Sequence, residues 1–153
     1  MTRNRNAIAQ ISMLLIILFC TSSVAQMTQG RWENQVRIQL REYTETLSAG
    51  YDLVESHDPI VYSLNRNTYI DVSYDLQRGE AYMFVGVCDT DCREINFELY
   101  DYRGTLIDSS LERNNVTPAV GVVAYRDTTV RLRLTMANCR HNPCWVGIGA
   151  YTR

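Results

Sequence analysis

Two close cysteine pairs carry the strongest chemical signal in this 153-residue sequence. One is Cys88-Asp89-Thr90-Asp91-Cys92; the other encloses Arg140-His141-Asn142-Pro143 between Cys139 and Cys144. Four such thiols can bind zinc or form disulfides, and their spacing bears on the choice. C-x3-C and C-x4-C are not the paired C-x2-C knuckles of a zinc site. Disulfides leave three connectivities open. Loop-closure entropy is roughly 2 kcal/mol for a five-residue loop and roughly 4 kcal/mol for a loop of about fifty, so entropy does not favour local pairs. The local pairing, Cys88–Cys92 and Cys139–Cys144, is preferred because each closes one turn without specifying how distant strands meet. Asp89 and Asp91 also sit inside the first loop. Calcium takes six to eight oxygen ligands, and two carboxylates on a rigid turn begin such a shell. Turn aspartates equally accept bonds from nearby backbone N–H groups, so both readings stand.

Other chemistry is sparse. All fifteen cationic side chains are arginine, which excludes lysine nucleophiles and Schiff bases. His57 and His141 both lie in polar, turn-like stretches, and no G-x-S-x-G, H-E-x-x-H or P-loop motif is present. Asp71 and Asp75 share one strand face, as do Arg131 and Arg133, and such rows read as the wet face of a sheet. The tyrosines are the better lead, at ten against three phenylalanines. Tyr100, Tyr102 and Tyr125 lie on or beside strands and turns and are the candidate binding residues, suited to stacking and hydroxyl bonding. Net charge is −2 and no basic tract exceeds two residues, which excludes a nucleic-acid footprint.

These residues need elements to position them. Arg3 and Arg5, an apolar run over 11–19 and Ser23-Val24-Ala25 form the pattern of a signal peptide over residues 1–25. Its removal leaves no membrane span, and it places the chain outside the cytoplasm, secreted or periplasmic. Within residues 26–49, Trp32, Val36, Leu40, Tyr43 and Leu47 recur at helical spacing and predict one amphipathic helix. From residue 50 to 153 the period changes to two. Ile70, Val72, Tyr74 and Leu76 alternate with polar residues, as do Val130, Leu132, Leu134 and Met136. Seven to eight short strands, with a polar loop over 109–117, predict a mainly β domain: an antiparallel β-sandwich.

The run Val85-Gly86-Val87-Cys88-Asp89-Thr90-Asp91-Cys92 leads into Phe97-Glu98-Leu99-Tyr100-Asp101 and Gly104. Pro118, the strand over 130–136, Cys139 and Cys144 follow in order. Together these resemble the bacterial pre-peptidase C-terminal domain, in its small standalone secreted form with a leading helix. The resemblance covers roughly residues 48–151. It implies a jelly-roll-like sandwich without catalytic activity that accompanies secreted hydrolases, with substrate, matrix or calcium binding in some members. The chain departs from the pattern at Arg93-Glu94-Ile95-Asn96, where relatives carry further aspartates, and a module without an attached catalytic domain is expected. The expected function is an exported, non-enzymatic binding or accessory module without a resident cofactor, contacting protein or polysaccharide. A hydrolase-associated domain or peptidase inhibitor, and a calcium-stabilised structural domain, are the alternatives.

Overall fold

The structure is a computed structural model and describes residues 30–46, 50–54 and 58–153. The segment 1–25 and His57 lie outside the described residues. The chain divides into two compact units, Met1–Trp32 and Glu33–Arg153. Of the first unit only residues 30–32 are described, as the start of a helix, α1, that runs over 30–46.

In the second unit α1 is followed by nine strands: β1 (Asp52–Leu53), β2 (Ile60–Leu64), β3 (Thr68–Leu76), β4 (Ala81–Cys88), β5 (Cys92–Tyr100), β6 (Leu106–Ser110), β7 (Ala119–Val123), β8 (Thr128–Cys139) and β9 (Cys144–Thr152). They form two antiparallel sheets packed as a sandwich. In the five-stranded sheet, β9 pairs with β1, β2 and β4, and β4 pairs with β7. The four-stranded sheet has the order β3-β8-β5-β6. The ninth strand beyond the expected range is β1, only two residues long, which extends the β9 edge opposite Tyr151 and Thr152. β6 also reaches Ser110, so the irregular loop begins at Leu111 rather than Ser109.

Alternation decides the layering. Tyr74, Leu132, Leu134, Met136, Ile95, Phe97 and Leu99 point inward from the four-stranded sheet and meet Phe84, Val146, Ile148 and Ala150 from the other. Tyr74 and Phe84 meet across the layers with ring centroids 4.7 Å apart. Gly86 lets the sheets close here, since a Cβ on it would lie 2.8 Å from Phe97 Cζ. Burial pushes the Tyr74 hydroxyl well above its ordinary range.

Of the expected helical stripe, Val36 and Leu40 are buried and Trp32 and Tyr43 half-buried, while Leu47 lies outside the described residues. Val36 and Leu40 cluster with Val87 on the outer face of the five-stranded sheet. Burying each side chain contributes roughly 1.5–3 kcal/mol. Gly147 permits this approach: a Cβ there would fall 2.6 Å from Val36 and 2.7 Å from Leu40. The buried Tyr151 hydroxyl lies 3.2 Å from Thr44 Oγ1, which ties the sheet to α1. At the opposite edge Gly121 of β7 donates its N–H to Asp108 Oδ2 of β6 at 2.9 Å. Among the described residues no helix is long and apolar enough to cross a membrane.

Candidate functional site

Antiparallel strands put their connections at two ends. At one end the structure joins Cys88 to Cys92 and Cys139 to Cys144. Asp89 organises this end. Its Oδ1 accepts from the backbone N–H groups of Asp91 and Cys92, both at 3.1 Å, and its Oδ2 accepts from Trp145 N–H at 2.7 Å. Asp89 N–H donates in turn to the Trp145 carbonyl at 3.0 Å. One side chain therefore binds the β4–β5 turn to the start of β9. At 4% exposure its carboxyl is raised above the usual carboxylate range by burial, an effect only partly offset by the three N–H donors. Asp91 faces the second loop, with His141 Nδ1 3.1 Å from its Oδ1 and Arg140 N–H donating to its carbonyl.

This arrangement does not fit calcium. Both Asp89 oxygens serve backbone donors, and among the described residues no three acidic, histidine or cysteine side chains cluster to hold an ion. Arg93 adds a guanidinium at the same turn, donating to the Thr90 and Cys92 carbonyls. His141 is largely exposed, and its ring lies against Asp91.

The outer face of the four-stranded sheet is a network of arginine, tyrosine and carboxylate. The β3–β8 register sets Asp71 opposite Arg133 and Ser73 opposite Arg131. Arg133 grips Asp71 with two donors, Nε to Oδ1 at 2.8 Å and Nη2 to Oδ2 at 2.9 Å, and Arg131 adds a third bond at 3.0 Å. The Arg133 bond and the two guanidinium charges hold Asp71 below the usual carboxylate range and keep Arg133 charged. Arg133 lies over the Tyr69 ring at 4.0 Å, and Arg131 over Tyr100 at 4.4 Å. Tyr100 donates its hydroxyl to Glu98 at 2.8 Å, which raises its pKa. Asp75 accepts from Thr129 Oγ1 at 2.7 Å. Asp71 and Asp75 thus lie on the wet face that the sequence predicts, each bonded to side chains of β8.

The other end holds the exposed Tyr102 and Tyr125, whereas Tyr62 of β2 and Tyr69 of β3 are exposed nearer the disulfide-bearing end. Tyr102 sits in the β5–β6 turn, where Asp101 Oδ1 accepts from Arg103 and Thr105 N–H, both at 2.8 Å. Gly104, at φ 85°, completes the turn in a conformation that disfavours residues with a Cβ. Tyr125 sits in the β7–β8 turn, anchored on either side. Ala124 exchanges backbone bonds with Gly79 and Glu80, and Asp127 Oδ1 accepts from Arg78 N–H. Tyr125 is 86% exposed and Tyr102 52%. Arg126 reaches across to the Tyr102 ring at 5.1 Å, which brings the two turns together, and Arg103 lies against the same ring at 5.1 Å. Beside Tyr102 runs a groove of about 490 Å³, lined by Ser73, Asp101, Arg103, Thr129 and Arg131 among others.

Of the three candidate tyrosines, two are therefore exposed at one end, Tyr125 almost fully and Tyr102 beneath Arg103 and Arg126. Tyr100 is half-buried and lies under Arg131. Arg103 and Arg126 were not evident as site residues from the sequence. The available signal is that Tyr102 and Tyr125 are each followed by an arginine, in Asp-Tyr-Arg-Gly and Ala-Tyr-Arg-Asp. No protein-family model matches the chain, and no curated protein matches its sequence.

Proposed function

We propose that this chain is an exported, non-catalytic binding module that holds an extended extracellular ligand, protein or polysaccharide, at its turn end. The observation that carries the reading is Tyr125, 86% exposed on a turn fixed from both sides, beside the half-exposed Tyr102 and its groove. An aromatic ring held outward on an anchored turn offers contact area at little ordering cost on binding. The signal-like segment 1–25 and the two disulfides support export. The bonded state of Asp71, Asp75 and Asp89 supports a role without proton transfer. The likeness to pre-peptidase C-terminal domains supports an accessory role alongside secreted enzymes.

The test is retention of the protein on a panel of immobilised polysaccharides and matrix proteins, with and without Tyr102→Ala and Tyr125→Ala together. At least one ligand should retain the native chain, and the folded double variant should bind it about tenfold more weakly or worse. Equal retention of the two proteins would remove the turn end from the reading.

A further inference from the structure

A strand at the end of a sheet shows a row of unpaired backbone N–H and C=O groups unless something blunts it. Among the described residues the two sheets end in β1 and β2 beside β9, in β7, in β6 and in β3. All but β3 are short. β1 has two residues, β2 has five after Pro59, and β6 has five with a register shift against β5. β7 also has five, and its Gly121 N–H is taken by Asp108. β3 runs nine residues in unbroken register with β8, and its sequence has no proline, glycine or cationic side chain. Its Ile70 and Val72 point inward yet are half-buried, so the apolar layer is open along this edge.

We propose that the β3 edge is a self-association surface, on which a second copy of this chain adds its own β3 antiparallel about a two-fold axis at Val72. The side chains of β3 favour this occupant, because directly opposed residues share a face and like charges set opposite one another destabilise a strand pair. With the axis at Val72 all nine residues overlap, and Asp71 faces Ser73 of the second copy. Asp75 then faces Tyr69, the ring over which Arg133 lies. In the apolar layer Val72 meets its own copy and Ile70 meets Tyr74. Neighbouring registers are worse. An axis at Asp71 would set that carboxylate against itself, and one at Ser73 would set Asp71 against Asp75. The pairing goes beyond the binding-module reading and does not depend on it. Since the two β3 strands run in opposite directions, the turn ends that carry Tyr125 would point away from each other.

Sedimentation velocity of the oxidised full chain from about 10 μM to about 1 mM should show a monomer–dimer equilibrium. Hydrogen exchange should slow with concentration at alternate β3 amides, those turned away from β8, and stay unchanged in β6 and β7. Ser73→Asp sets a carboxylate opposite Asp71 twice in each dimer and should raise the dissociation constant about tenfold. Within its own sheet residue 73 lies opposite Arg131, so this substitution spares the fold. Asp71→Ser combined with Ser73→Asp exchanges the two residues, recreates the serine–aspartate pair across the axis and should restore the dimer. A chain that stays monomeric throughout would overturn the proposal, as would a dimer whose β3 amides exchange like the monomer's. A dimer indifferent to Ser73→Asp, or one that the exchanged pair fails to restore, would overturn the register at Val72.

Discussion

Asp89 fixes the disulfide-bearing end through bonds whose loss can be reckoned one at a time. Replacing it with alanine removes the acceptor for three N–H groups. Cys92 N–H retains a second acceptor in the Asp89 carbonyl at 3.2 Å, so two donors, those of Asp91 and Trp145, are left without a partner. An orphaned buried donor costs about 1–3 kcal/mol. Both are partly buried, and the variant escapes the desolvation that raises the Asp89 carboxyl, so the net loss is about 2–4 kcal/mol. Asp89→Asn should lose less, about 1–2 kcal/mol, because one amide oxygen can serve one side while the amide NH2 opposes a donor on the other. Urea unfolding of the oxidised protein, followed by tryptophan emission, measures both. A domain of this size is stable by only about 5–15 kcal/mol, so the shift in midpoint is large. An alanine variant within 0.5 kcal/mol of the native protein would refute the assignment of Asp89 as the tie between the β4–β5 turn and the start of β9.

Two further predictions use the same kind of measurement. Gly147→Ala should lower stability by about 1–3 kcal/mol, because the added methyl meets Val36 and Leu40 inside contact distance. Hydrogen exchange should quicken in α1 before the sheets, and uniform quickening would contradict the packing described. Asp71 is held below its ordinary range by Arg133 and Arg131, so its contribution is present above the unfolded pKa of about 3.9 and fades as pH falls through the lower folded value. The stability gap between native protein and Asp71→Asn should therefore be flat from about pH 5 to 8 and shrink below pH 4. A gap that stays constant to pH 2.5 would show that the pairing carries no linkage.

The layers were legible because periodicity records which side of an element is covered. Val36 and Leu40 sit at helical spacing and are buried; β3 and β8 alternate and have one wet face. β4 and β9 read as nearly continuous apolar runs for a related reason: the other sheet covers one face and α1 the other, as Val87 and Gly147 show. Strand ends were less legible, since β1 is specified only by its pairing with Tyr151 and Thr152, far along the chain. The site was legible in part. Tyrosine type and turn position point to Tyr102 and Tyr125, but the fate of Tyr100 depends on Arg131 of another strand. The Asp89–Trp145 bond spans 56 residues, and no local pattern encodes it. Arg126 meets Tyr102 in the same long-range way.

The bond from Gly121 to Asp108 bears on how copies of this chain meet at high concentration. β7 ends its sheet, and an end strand offers unpaired backbone groups on which a second chain could add a strand. Asp108 takes up the Gly121 N–H and leaves a carboxylate on that border. A β-strand arriving there would have to displace the side chain and bring its own carbonyl beside a negative charge. The four-stranded sheet's own edge strand, β6, thus guards the β7 border of the five-stranded sheet at Gly121.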